Sequence, residues 1–115
     1  INNLECINED CTKYINETND NFSVVVMDPP RSGCSKDFLN ALINKKVSKL
    51  IYVSCNPKSL KRDLNILKEY YDILSITPLD MFPNTLHIET VVELKRKDEL
   101  DIIANKIMNK HYTNV

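Results

Sequence analysis

Short apolar runs alternate with amphipathic stretches along this chain in a regular order. Residues 22–27 (FSVVVM) form an unbroken, mostly β-branched run that stops at Asp28-Pro29-Pro30. Apolar side chains on both faces describe a buried parallel strand, and prolines, which cannot extend a hydrogen-bonded ladder, end it. Phe38, Leu39, Leu42 and Ile43 then recur at helical spacing within residues 36–44, with Ser35 placed as an amino-terminal cap. Residues 47–54 (VSKLIYVS) predict a second strand that runs into the turn Asn56-Pro57, and Leu60, Leu64, Ile66 and Leu67 predict a helix over 58–70. Residues 71–79 alternate as a strand, 81–86 form a proline-bearing loop, and 88–94 (IETVVEL) form a further strand that pairs antiparallel with the one before it. Over 98–110, Leu100, Ile103, Ala104 and Ile107 share one face of a final helix. A short run at 4–7 reads as an early strand, and 16–21 (NETNDN) as an exposed linker.

Strands joined by helical crossovers make this an α/β chain with a mostly parallel sheet and an antiparallel last strand, and such sheets bind ligands at the carboxyl ends of their strands. Asp28 and Cys55 both fall there. Gly33 is the single glycine of the 115 residues, so they hold no G-x-G-x-x-G turn and no P-loop.

Composition changes this picture little. At 43% hydrophobic and 27% charged residues the chain suits one globular core. Its apolar runs fall far short of the roughly 20 residues that span a bilayer, so no membrane partner is expected. Fifteen basic and sixteen acidic residues give a net charge of −1, which excludes a general basic field for nucleic acid, but Lys58, Lys61 and Arg62 cluster just after Cys55. Cys6, Cys11, Cys34 and Cys55 lack zinc-ligand spacing, and no secretory signal accompanies them; free thiols, no metal and a cytoplasmic location are expected.

Three segments carry chemistry. Asp28-Pro29-Pro30-Arg31-Ser32-Gly33 sets a carboxylate and a guanidinium on a stiff backbone at a strand end. Ser54-Cys55-Asn56-Pro57 puts a thiol beside the first turn of a helix, whose positive end favours anions, although a thiol at a strand end equally reads as a small buried apolar side chain. The stretch from Asp80 to Thr90 holds His87, read as structural, and Glu89, whose carboxylate between Ile88 and Val91 is suited to proton abstraction or is an ordinary surface charge. Asp10 stands beyond the early strand, and Tyr52, Tyr70 and Tyr71 read as packing residues.

Taken together, the DPPRSG segment, Tyr52-Val53-Ser54-Cys55-Asn56-Pro57 with Arg62-Asp63-Leu64, and Asp80-Met81-Phe82-Pro83 through His87-Ile88-Glu89-Thr90 resemble the RNA 5-methyluridine methyltransferases that act on 23S ribosomal RNA or transfer RNA. The resemblance implies the carboxyl-terminal half of a Rossmann-like, S-adenosylmethionine-dependent methyltransferase fold over residues 1–97, with 98–115 peripheral. It also implies Cys55 as nucleophile toward uracil C6, Glu89 as general base, Asp28 as a contact to the cofactor or to the target base and Asp10 as a cofactor contact; Arg31, beside Asp28, reads as a substrate contact. A thiolate is needed because uracil C5 becomes nucleophilic only after C6 is attacked.

The family's glycine-rich cofactor loop and RNA-binding barrel, which sometimes carries an iron–sulfur cluster, have no counterpart in these residues. The chain therefore reads as a fragment, inactive alone. In that fold the first strand lies beside the Asp28 strand, so its absence is expected to leave an apolar edge that invites self-association or a rearranged amino terminus. Two other readings stay open: a base-amino methyltransferase, which expects an aromatic residue where Arg31 stands, and a non-catalytic α/β interaction module, which offers no reason for Cys55 and Glu89 to occupy these contexts.

Overall fold

A computed structural model of the chain describes residues 2–6, 22–79 and 89–113. Eight elements follow one another: strand β1 (Asn2–Cys6), β2 (Phe22–Met27), helix α1 (Lys36–Lys45), β3 (Lys49–Ser54), α2 (Pro57–Leu67), β4 (Tyr71–Leu79), β5 (Glu89–Arg96) and α3 (Glu99–Thr113). They build one five-stranded sheet in the order β1-β2-β3-β5-β4. Two of its four pairings are parallel (β1 with β2, β2 with β3) and two antiparallel (β3 with β5, β5 with β4), so β5 alone runs against the other four.

Register and burial show how the sequence pattern becomes a core. Val25 pairs with Leu50 and Met27 with Tyr52, while Leu50 and Tyr52 pair with Leu94 and Val92 across the antiparallel seam. Period-two alternation points all six to one sheet face. There they pack with Phe38, Leu39, Ala41, Leu42 and Ile43 of α1 and Leu60 and Leu67 of α2. Ser35 caps α1 as its sequence predicts, its hydroxyl accepting from the Phe38 N–H at 3.2 Å. Asn56 caps α2 by accepting from the Lys58 N–H, with Pro57 opening the helix, where its missing N–H leaves no bond unmade.

Two expectations gain detail. The edge beside the Asp28 strand is covered by the amino-terminal segment, because β1 pairs along β2 and leaves β1 and β4 as the edges of the described sheet. On α3 the stripe of Leu100, Ile103 and Ile107 faces solvent, Leu100 at 79% exposure, while Ile102 is the residue that is buried. The helix is turned by its polar anchors: Glu99 meets the Arg96 guanidinium at 3.4 Å and the Lys106 ammonium lies 5.1 Å from the Tyr70 ring centre. Positions 99, 102 and 106 share a face, and those contacts roll the apolar stripe outward. The tyrosines do pack as read. Tyr52 and Tyr71 are fully buried and Tyr70 is half-buried.

β4 is an edge strand, and of its nine residues only Tyr71 is buried. Its hydroxyl donates to the Val47 carbonyl at 2.6 Å and ties the start of the strand to the loop after α1. Arg96 lies against Tyr70 and Tyr71 and donates to the Ile43 carbonyl at 2.9 Å, closing the sheet end that lies away from Asp28 and Cys55. Among the described residues, no helix is long and apolar enough to cross a membrane.

Candidate active site

One end of the sheet collects the chemistry-bearing side chains. The parallel register that sets Met27 opposite Tyr52 sends both β2 and β3 out at the same end, where Asp28 and Cys55 follow. On the other side of β3 the register is antiparallel, pairing Val53 with Val91 and Ser54 with Thr90. The next positions outward on that register are Cys55 and Glu89, the first residue of β5. Facing positions on antiparallel strands bring their backbones to about 5 Å. Strand order thus brings a thiol and a carboxylate 34 positions apart in sequence to the same end of the β3–β5 ladder, each one position beyond its last pair. Leu79, opposite Glu89, brings β4 to the same end.

Asp28 is exposed and makes no bond to another described residue. Cys55 is a free, half-buried thiol one position before the α2 cap. A small polar turn shapes that position: the buried Ser54 hydroxyl accepts from the Asn56 N–H at 3.1 Å and donates to the Asn56 carbonyl at 3.0 Å. Glu89 is half-buried. The arrangement brings to one sheet end a half-buried thiol, a half-buried carboxylate at the start of β5 and an exposed carboxylate at the end of β2.

The loop after Asp28 is held from α2. Its turn closes with the Gly33 N–H donating to the Pro30 carbonyl at 2.8 Å. The Arg31 carbonyl accepts from Asn56 Nδ2 and from the Ser59 hydroxyl, each at 2.9 Å. Arg62 Nη2 donates to the carbonyls of Ser32 at 2.7 Å and Cys34 at 3.1 Å. The Arg31 side chain remains exposed. Gly33 adopts φ +83° and presses so closely on α2 that a Cβ there would lie 2.7 Å from Asp63 Oδ2 and 2.9 Å from Ser59 Cβ. This position explains the single glycine: it serves a helix contact and no cofactor turn.

Asp63 is the residue that the sequence pattern did not single out. Its carboxylate is fully buried, accepting from the Tyr52 hydroxyl at 2.6 Å and the Cys34 N–H at 2.8 Å on one oxygen and from Arg62 on the other. Burial, then the Asp63 charge, pushes the Cys34 thiol up to about 12, and burial with the hydrogen bond to Asp63 pushes the Tyr52 phenol higher still. Both stay protonated. The available signal was weak: Asp63 follows Arg62 in a helix whose other inward positions are apolar or small, as if it were one more core residue.

Asp10, His87 and the 81–86 loop lie outside the described residues. Among the described residues, no three His, Cys, Asp or Glu side chains group as a metal site would need.

Comparison with known proteins places these features in company. Residues 10–97 match the sequence family described as tRNA (uracil-5-)-methyltransferase. An uncharacterised RNA methyltransferase of Staphylococcus epidermidis is 51% identical over 76 residues, which make up 66% of this chain and 17% of that protein. Another from Clostridium acetobutylicum is 48% identical over 77 residues, again 66% of this chain and 17% of its own. The crystal structure of Pyrococcus abyssi tRNA (uracil-54, C5)-methyltransferase in complex with S-adenosyl-L-homocysteine superposes with a TM-score of 0.60 at 40% identity, covering 67% of this chain and 19% of that one. The chain therefore spans 16–17% of the length of the curated relatives it matches.

Proposed function

Because this chain belongs to the tRNA (uracil-5-)-methyltransferase family, we propose that it provides the nucleophile and the general base for making 5-methyluridine in RNA. The observation that supports the reading is the β3–β5 register, whose last pair is Ser54 with Thr90, so that Cys55 and Glu89 each follow one position further on at the sheet end where Asp28 also emerges.

The Cys55 thiolate bonds to C6 of the target uracil and shifts the C5–C6 electron pair onto C5 and the adjoining carbonyl. S-adenosylmethionine, when bound, supplies the methyl group to C5 and leaves as the thioether. Glu89 takes the C5 proton, and the electron pair that proton leaves behind re-forms the C5–C6 double bond as the Cys55 thiolate departs. Ring, enzyme and thiol end as they began, apart from the methyl gained and the proton lost. Arg31, exposed on its clamped backbone, contacts the RNA.

The residues present fit part of a cofactor site. Asp28 is an exposed carboxylate at the end of a parallel strand, where open α/β sheets bind ligands, and Asp10 is the second contact in this reading. Gly33 is taken up by the α2 contact, so the glycine turn that seats such a cofactor is not among the 115 residues. On this reading residues 1–97 carry the chemistry, 98–115 are peripheral, and the 115-residue chain alone neither methylates RNA nor binds the cofactor firmly. The RNA is a transfer or 23S ribosomal RNA, met in the cytoplasm. An aromatic-dependent base-amino reaction is disfavoured by Arg31 and by the family.

The test uses the full-length protein that carries this segment, incubated with S-adenosylmethionine and 5-fluorouridine-containing tRNA or 23S rRNA transcripts. Fluorine cannot leave as a proton, so the Cys55–RNA bond persists and is seen as a retarded band on a denaturing gel. The adduct is expected with one of the two RNAs and lost in Cys55→Ala. An adduct that survives in Cys55→Ala would overturn the assignment.

A further inference from the structure

We propose that Asp63, acting through Arg62 and the Cys34 N–H, is a positioning residue that sets the Asp28–Arg31 loop at a fixed distance from Cys55. The inference rests on the reading of Cys55 as nucleophile.

Three observations lead to it. First, the bonds reach the loop from the helix that Cys55 precedes. Asn56, the residue after Cys55, holds the Arg31 carbonyl, and Arg62 holds the carbonyls of Ser32 and Cys34. Second, the guanidinium is itself fixed, because Arg62 Nε and Nη2 both donate to Asp63 Oδ1, at 3.2 and 3.1 Å. The other oxygen of the same carboxylate holds the Cys34 N–H and, through the Tyr52 hydroxyl, β3. One side chain thus ties together the loop, the helix and the strand that ends at Cys55. Third, Pro29 and Pro30 leave little backbone freedom between this anchor and Asp28, so a displacement at residues 31–34 is passed on to the carboxylate.

Stability alone is a poor account of such a residue. A fully buried carboxylate carries a large desolvation cost, and apolar side chains of similar volume commonly serve a core as well or better. What an apolar residue cannot do is accept four hydrogen bonds from three elements and hold their separation. Asp63 touches neither base nor cofactor in this scheme; it acts through the loop.

The full-length protein tests this with Asp63→Asn, Arg62→Lys and, as a stability control, Tyr71→Phe, assayed well below each variant's melting midpoint. Asp63→Asn keeps an acceptor for Tyr52 and Cys34 but can turn an amide N–H toward the Arg62 donors. Its adduct rate on 5-fluorouridine RNA and its kcat are expected to fall on the order of 100-fold, as misplacement of about 1 Å does elsewhere, with KM for RNA little changed. Arg62→Lys, at a half-exposed side chain that tolerates change, is expected to fall in the same direction and serves if Asp63→Asn does not fold. Tyr71→Phe removes the buried bond to the Val47 carbonyl at the sheet end away from Cys55, so it should melt earlier yet keep its kcat. Wild-type adduct rate and kcat in both Arg62→Lys and any folded Asp63→Asn would overturn the proposal. So would losses in Tyr71→Phe that match those in Asp63→Asn, since melting alone would then set the rate. A wild-type protein that forms no adduct fails at Cys55 itself and takes this inference with it, whereas a wild-type adduct with unaffected variants fails only the clamp.

Discussion

Gly33→Ala isolates the approach of the Asp28 loop to α2 in a single methyl group. Two costs add. At φ +83° a residue with a side chain sits in the left-handed region, which costs about 1–2 kcal/mol. The new methyl would also lie 2.7 Å from Asp63 Oδ2 and 2.9 Å from Ser59 Cβ. The first is tied down by Tyr52 and Cys34 and the second belongs to the helix, so neither yields freely, and overpacking of this kind costs about 1–3 kcal/mol. Arg62 Nη2, also 2.7 Å away, can swing aside only by giving up its bonds to the Ser32 and Cys34 carbonyls. The sum, roughly 2–5 kcal/mol, is a large fraction of the roughly 6–17 kcal/mol expected for a domain of this length at typical stability per residue. Urea denaturation read by circular dichroism gives the difference from the shift in midpoint at constant slope. Ser32→Ala is the control, because Ser32 is exposed and offers only its carbonyl to Arg62. A Gly33→Ala loss no larger than that of the control, within about 0.5 kcal/mol, would refute the argument that this glycine is required by the helix contact.

Three further outcomes follow from the same geometry. Glu89→Gln in the full-length protein should still attack and methylate but fail to release, so a covalent adduct accumulates on ordinary uridine RNA; rapid turnover without adduct would remove Glu89 from the base role. Cys55→Ala should abolish the adduct while moving stability by no more than about 0.5 kcal/mol, since the thiol is only half-buried and no hydrogen bond depends on it. Alkaline stability should reflect Cys34 and Tyr71, which burial pushes up to about 12 from ordinary values of 9.0 and 10.0. Both hold their protons more tightly folded than unfolded, so the stability linked to them is whole below pH 9 and drains as the pH rises toward 12, the thiol's share being roughly 4 kcal/mol. Denaturation midpoints measured across that range should fall for the wild type and, between pH 9 and 10, stay flatter for Cys34→Ala; equal slopes would contradict the assignment.

Much of the fold is local and was therefore legible. The β-branched run before Asp28 is β2 to the residue, Ser35 caps α1 as its spacing requires, and the β2–α1–β3 crossover follows from period and proline alone. What failed to show in the sequence depends on long-range order. Nothing in residues 88–94 says that their strand inserts between β3 and β4, yet that placement is what sets Thr90 opposite Ser54 and carries Glu89 to the sheet end of Cys55. Asp63 was legible only as part of a family motif, because a buried acid looks like a surface acid until its partners, at positions 34 and 52, are known. Which way the apolar face of α3 points was not legible for a related reason: helical periodicity finds an apolar stripe but cannot see that Arg96 and Tyr70 hold the helix by Glu99 and Lys106.

The insertion of β5 also orders events during synthesis. A ribosome delivers β4 before β5, but among the described residues β4 has no strand neighbour except β5, and β3 borders β5 rather than β4. Until residue 96 has been made, β3 keeps one rim bare and β4 has nothing to zip to. The nascent chain thus exposes two unsatisfied rims at once, a state that invites chaperones or aggregation. The strand that closes both rims begins with Glu89, so in the proposed mechanism the acid reaches the thiol only in a molecule whose sheet is already complete.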